Sequence, residues 1–173
     1  DSLQEASFRA RCDAAVQNVL RVLPAGGRVL DLGCGSAPVL SRLRQHGASC
    51  TGLEYSEDML RHARARLQSM QLDVGDLHRG DCRETRFEAA SFDVVVCLGV
   101  ISYVEDYAVV LSEIKRILKP GGYALVSFRN RFNPILWDPA VGLKTLARAA
   151  TGRLPPEPYK IGRFMDFREF RRK

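Results

Sequence analysis

Between Arg28 and Phe128 the chain alternates apolar runs of strand length with stretches whose apolar residues recur at helical spacing. RVLDLG (Arg28 to Gly33), ASCTGLE (Ala48 to Glu54), Leu77 to Cys82, Phe92 to Leu98 and Tyr123 to Phe128 read as strands. Pro38 to His46 reads as a helix, because proline is pre-shaped for a first turn and Gly47 suits the stop. Ser56 is a good N-cap for a second helix, with Glu57 and Asp58 in its first turn and Met59, Leu60, Ala63 and Leu67 on one face. A third helix spans about Glu105 to Leu118, and LKPGG is expected to stop it and turn the chain. Parallel strands need crossovers, so this order predicts a doubly wound α/β sheet with helices on both faces.

Ligands of such sheets bind beyond the carboxyl ends of the strands. VLDLGCGSAP (Val29 to Pro38) lies at that edge and brings two glycines one residue apart directly after an aspartate. A dinucleotide loop reads GxGxxG, but here the third position is Pro38, which has no N–H to offer a phosphate. Asp31 would also repel a pyrophosphate, whereas it suits a ligand carrying an ammonium group. Glu54 closes the second strand 21 residues beyond Gly33, where a carboxylate can accept from two ribose hydroxyls. Asp81 is expected to end the third strand and to accept from an exocyclic amine. A cationic amino acid joined to adenosine satisfies all three acids. Each also has a plainer role: Asp31 as the cap of the next turn, Glu54 as a solvated strand end, Asp81 as a loop acid in HRGDCRE.

VLDLGCGSA, TGLEYSEDML, GDCRE, FDVVVCLGVISYVED and RILKPGGYALVS stand in order from about Gly27 to Phe128. In these motifs the chain resembles the class I S-adenosylmethionine-dependent methyltransferases, within the small-molecule group that includes ubiquinone- and menaquinone-type enzymes. The resemblance implies a Rossmann-like sheet of about five parallel strands in the order 3-2-1-4-5, with S-adenosyl-L-methionine as cofactor. It implies that Asp31, Gly33, Cys34 and Gly35 line the methionine and ribose part, and that Glu54 binds the ribose hydroxyls. Tyr55 and Met59 would pack on adenine, Asp81 and Cys82 would sit at its amino edge, and Leu98 would lie near the sulfonium. Ala37 stands where the family usually has a third glycine.

The reaction implied is methyl transfer to a small-molecule acceptor, with O-, N- and C-methylation all open. Ser102 and Tyr103, just after the fourth strand, are best placed to face that acceptor and are the candidate catalytic residues. His46, His62 and His78 fall away from the expected site, and no metal site is predicted. Two other functions fit the same fold: a non-catalytic S-adenosylmethionine-binding or partner-binding module, and a nicotinamide oxidoreductase, which Pro38 disfavours. The five cysteines have no CxxC spacing and read as reduced structural thiols.

Charge divides the chain. Residues 1–128 hold 15 Lys+Arg against 16 Asp+Glu, whereas residues 129–173 hold 11 against 4. We read residues 1–128 as the cofactor-binding core with an N-terminal helix. Residues 129–173 read as a basic amphipathic cap or acceptor-site segment of the same domain, truncated before the last two strands of the family's C-terminal hairpin. Ile135, Leu136, Trp137, Leu143 and Leu146 with Lys144, Arg148 and Arg153 suit a lipid-like or anionic acceptor, or peripheral membrane contact through residues 132–153. An ordinary solvated helix packed on the domain by its apolar face fits them slightly better. Nucleic acid is disfavoured, because aromatic stacking platforms are sparse. With no apolar run of about 18 residues and no charged-then-apolar leader, a cytoplasmic location is expected.

Overall fold

The computed structural model describes residues 3–127. In chain order its elements are α1 (Leu3–Val22), β1 (Arg28–Leu32), α2 (Pro38–Gln45), β2 (Ser49–Glu54), α3 (Glu57–Ser69), β3 (Leu77–Arg79), β4 (Phe92–Cys97), α4 (Tyr107–Ile117) and β5 (Leu118–Val126). The strands form one sheet in the order β3-β2-β1-β4-β5, every pairing parallel. This is the doubly wound arrangement expected from the alternation of elements.

Side chains alternate across a strand, so neighbouring apolar residues of a central strand feed opposite faces. Val29, Val94, Val96 and Leu125 pack with Cys12, Val16 and Val19 of α1, Leu40 and Leu43 of α2 and Leu67 of α3. Leu30, Leu32, Val95, Cys97 and Val126 pack on the other face with Val110, Ile114 and Ile117 of α4. The continuous apolar runs of β1 and β4 thus reflect burial on both sides. Truncating a fully buried leucine such as Leu30 or Leu43 in such a core costs roughly 2 to 5 kcal/mol.

Helix starts follow the sequence closely. Ser56 accepts from the Met59 N–H and caps α3, while Asp106 accepts from the Ala108 N–H and starts α4 two residues later than expected. Two expectations at strands need correction. LKPGG ends α4 at Ile117 as expected but lies within β5 and does not precede it: Leu118 pairs with Phe92 and Tyr123 with Val94, and Lys119 to Gly122 bulge out between them with Gly121 at φ +80°. The register shifts between Phe92 and Val94, and a bulge there tolerates a proline that has no ladder N–H to give. Gly122 is needed at this point, since a Cβ would come within 2.8 Å of the Asp93 carbonyl oxygen. β3 is also shorter than Leu77 to Cys82. It ends at Arg79, so Asp81 and Cys82 belong to the following loop, where Asp81 forms an isolated antiparallel bridge with Glu84.

That loop is fastened to α4. The backbone N–H and hydroxyl of Thr85 both donate to the buried Glu113 carboxylate, at 2.9 and 2.6 Å, and Arg116 donates to it twice at 2.7 Å. These donors, Arg116 first, hold Glu113 down to about 2. The cap expected over residues 129–173 lies outside the described residues. Among the described residues, no helix is long and apolar enough to cross a membrane.

Candidate functional site

β1, β2 and β4 end side by side, and the loops that follow them enclose a cleft of about 770 Å³. Its floor is the turn after β1. The N–H groups of Gly33 and Cys34 both donate to the Leu53 carbonyl, at 2.7 and 3.0 Å, which ties the turn to the end of β2. Gly33 has φ +74°, and a Cβ there would lie 2.1 Å from Cγ2 of Val100. Gly35 has φ +53°, with a would-be Cβ 3.4 Å from the Met59 methyl. Both glycines therefore answer a left-handed backbone, and at Gly33 also a close approach.

Glu54 braces the same turn. Its Oε2 accepts from the Gly35 N–H at 3.0 Å and its Oε1 from the Ser56 N–H at 2.9 Å. A carboxylate has about four acceptor positions, so two donors leave about two for a ligand diol. Tyr55 (70 % exposed) and Met59 (38 % exposed) present apolar surface on the adjoining wall. On the loop after β3, Asp81 and Cys82 line the cleft, as does Arg83, which grips Asp81 through Nε and Nη2. Leu98, Gly99 and Val100 form the wall beyond β4, and Tyr103, Val104, Glu105 and Asp106 line the far end.

Nine of the twelve residues singled out in the sequence thus line one cleft: Gly33, Gly35, Glu54, Tyr55, Met59, Asp81, Cys82, Leu98 and Tyr103. Three do not. Asp31 is 4 % exposed and turns away beneath α2, where it accepts from the Leu40 N–H at 3.2 Å; it takes the plainer role of a helix-start acceptor. Burial, with Glu54 adding to it, pushes its carboxyl up to about 7. Cys34 is buried with its Sγ against Gly52, so its side chain belongs to the core. Ser102 sits half-buried in the short 3-10 turn Ile101–Tyr103, off the lining.

Sequence reasoning missed Arg83, Glu105 and Asp106. The signal for Arg83 was its place two residues after Asp81, and for the acids the VED run that caps α4. His78 lies in β3, edge-on to the Phe87 ring, outside the lining. Among the described residues, no group of three or more His, Cys, Asp or Glu could hold a metal ion. All five cysteines are free, and four are buried.

The donor set fits an adenosyl amino acid. The glycines let the turn backbone line the cleft without side chains, and Glu54 keeps acceptor positions for a diol beside apolar surface for a base. The comparisons agree with that chemistry. The family described as methyltransferase domain matches residues 30–126. The "Ubiquinone biosynthesis O-methyltransferase" of Pseudomonas aeruginosa (strain LESB58) is 39% identical over 112 residues, covering 64% of this chain and 47% of that protein. The "Phosphatidylethanolamine N-methyltransferase" of Cereibacter sphaeroides is 36% identical over 102 residues, covering 58% and 50%. A solved S-adenosylmethionine-dependent methyltransferase from Mesorhizobium loti superposes with a TM-score of 0.57 at 31% identity, covering 70% of this chain and 53% of that one. The chain spans about half the length of the curated relatives it matches.

Proposed function

The chain belongs to the methyltransferase-domain family, in the class I S-adenosylmethionine-dependent group, and on that premise we propose that it transfers a methyl group from S-adenosyl-L-methionine to a small-molecule acceptor. The observation that carries the reading is Glu54, fixed at the cleft floor by two backbone donors with its remaining acceptor positions open. Glu54 holds the ribose, Gly33 and Gly35 admit the methionine arm, and Tyr55 and Met59 cover the base. Asp81 and Cys82 edge the amino group of that base, and Leu98 stands toward the acceptor side. The bound sulfonium supplies an already activated methyl, so the residues' work is in-line positioning and exclusion of water.

Tyr103 lines the acceptor end as a positioning surface, and no histidine lines the cleft among the described residues. Two of the relatives are named for ubiquinone biosynthesis and for phosphatidylethanolamine, which supports a lipid-like acceptor. Arg83 is the only cation lining the described cleft, and it is engaged by Asp81. An anionic acceptor would draw its countercharge from residues 129–173, where the excess Lys and Arg lie.

Calorimetry with S-adenosylhomocysteine tests the first half of the proposal, and no binding at high micromolar ligand sinks it. Glu54→Ala should weaken binding by roughly 1.5 to 3 kcal/mol, the worth of hydrogen bonds to a charged acceptor. Unchanged affinity in that variant removes the ribose assignment. A screen of quinol, phenol and amine lipids in vesicles tests the second half. Cofactor binding without turnover on any of them would favour a binding module on the same fold.

A further inference from the structure

The turn after β1 is left-handed at Gly33 (φ +74°), at Gly35 (φ +53°) and again at Ala37 (φ 58°). Glycine takes that conformation freely, whereas the Cβ of Ala37 crowds the following carbonyl oxygen, so the backbone stays there only where neighbouring bonds over-determine it. As far as Gly35 those bonds come from β2, through the Leu53 carbonyl and the Glu54 carboxylate. Beyond Gly35 the peptide unit between Ser36 and Ala37 is pinned at both ends. Its N–H donates to the Cys34 carbonyl at 2.8 Å, and its carbonyl accepts from Nε of Arg66 at 2.8 Å.

Arg66 stands on α3, exposed and outside the cleft lining. Met59 precedes it by seven residues and so shares its side of the helix, with its methyl 3.4 Å from where a Gly35 Cβ would lie. α3 therefore meets the turn at two points: an apolar one inside the cleft and a charged one outside it.

We propose that Arg66 is a positioning residue for the amino-acid arm of the cofactor, acting through the turn without touching the ligand. The inference rests on the reading of this cleft as an adenosyl site in which Gly33 and Gly35 admit that arm. A guanidinium donor makes a charge-assisted bond with a fixed direction, so it holds the Ser36 carbonyl, and with it the plane of the peptide, in one orientation. Without that bond the strained peptide relaxes for part of the time, and the observed dissociation constant rises in inverse proportion to the fraction of turns still competent to bind. The ribose and base meet Glu54, Tyr55 and Met59, none of which Arg66 holds. The loss therefore falls on the amino-acid arm.

The test is calorimetry of the chain and its variants with S-adenosylhomocysteine and with 5′-methylthioadenosine, which keeps the adenosine and the sulfur and lacks the amino-acid arm. Arg66→Ala should weaken S-adenosylhomocysteine by about fivefold, the scale of one charge-assisted bond at an exposed site, and methylthioadenosine by less than about twofold. Arg66→Lys, which still brings a charged donor to the carbonyl, should fall between Arg66→Ala and the unmodified chain. Urea unfolding of the same variants separates stability from affinity. A lower urea midpoint with unaltered S-adenosylhomocysteine affinity overturns the proposal, and so does a loss for methylthioadenosine as large as that for S-adenosylhomocysteine. Should Arg66→Ala fail to fold, Arg66→Met, which keeps an apolar stem and removes every donor, decides on the same two outcomes. Those outcomes remove this inference alone. No binding of S-adenosylhomocysteine by the unmodified chain removes the adenosyl site itself.

Discussion

Gly33→Ala puts the turn after β1 to its hardest test. Two separate costs are visible. At φ +74° any residue with a Cβ pays the left-handed penalty of roughly 1 to 2 kcal/mol. The new methyl would also lie 2.1 Å from Cγ2 of Val100, where carbon atoms normally meet at about 3.5 to 4.0 Å. Relieving that overlap shifts Val100 or the turn, at an overpacking cost of roughly 1 to 3 kcal/mol. The sum is about 2 to 5 kcal/mol, a large part of the roughly 5 to 15 kcal/mol that holds a domain together. Urea unfolding followed by circular dichroism measures the loss. Gly33→Ala/Val100→Ala separates the two costs, because it removes Cγ2 and leaves the backbone conformation. The double variant should regain the overlap share, beyond the effect of Val100→Ala alone, and keep the left-handed share. Ala37 gives an internal comparison, since a residue with a Cβ already stands there at φ 58°. A single variant within about 0.5 kcal/mol of the unmodified chain, or a double variant showing no coupling, refutes the reasoning.

Two buried carboxyls give opposite pH signatures. Glu113 is held down to about 2 against an ordinary 4.5, so its contribution is present above 4.5 and is lost as pH falls through 2. Glu113→Ala should cost roughly 3 kcal/mol at pH 7, because the Thr85 N–H loses its buried acceptor, and should flatten the acid side of the urea midpoint against pH; an unchanged profile counts against the Thr85–Glu113–Arg116 cluster. Asp31 is pushed up to about 7 from 3.8, so the folded state holds its proton more tightly and stability falls as pH rises between those values. Asp31→Asn keeps an acceptor for the Leu40 N–H and should abolish that fall, and the same slope in both proteins would show that Asp31 is not its source.

The fold was legible in the sequence because its period signals are clean. β1 and β4 are largely apolar runs buried on both faces, and α3 carries its N-cap and apolar face within one window. The strand order came with the family resemblance and matches the observed sheet. What the sequence hid depends on tertiary geometry. LKPGG contains the residues of a turn and bulges out with Gly121 at φ +80°, yet Leu118 and Tyr123 on either side of it both pair with β4, so it interrupts β5 without ending it. Asp31 stands at a strand end like Glu54, but a strand-end position does not say whether the side chain faces the ligand edge or the neighbouring helix. At Asp31 the unpaired Leu40 N–H at the start of α2 takes the carboxylate. Arg83 was hidden for a similar reason: residues two apart meet only if the backbone between them turns, and nothing in GDCRE states that it does.

The two ends of the cleft differ in how firmly they are built. At the end proposed to hold the cofactor, several polar groups are already held: Gly33 and Cys34 by the Leu53 carbonyl, Gly35 and Ser56 by Glu54, Asp81 by Arg83. Groups fixed before binding lose little freedom on binding, so most of their interaction energy appears as affinity. The end proposed to take the acceptor rests on one short 3-10 turn, with Tyr103 80 % exposed and Glu105 also open to solvent. Methyl transfer needs water excluded at that end, and the described residues do not enclose it. On the proposed reading, a lipid-like acceptor would help to exclude water there with its own apolar bulk.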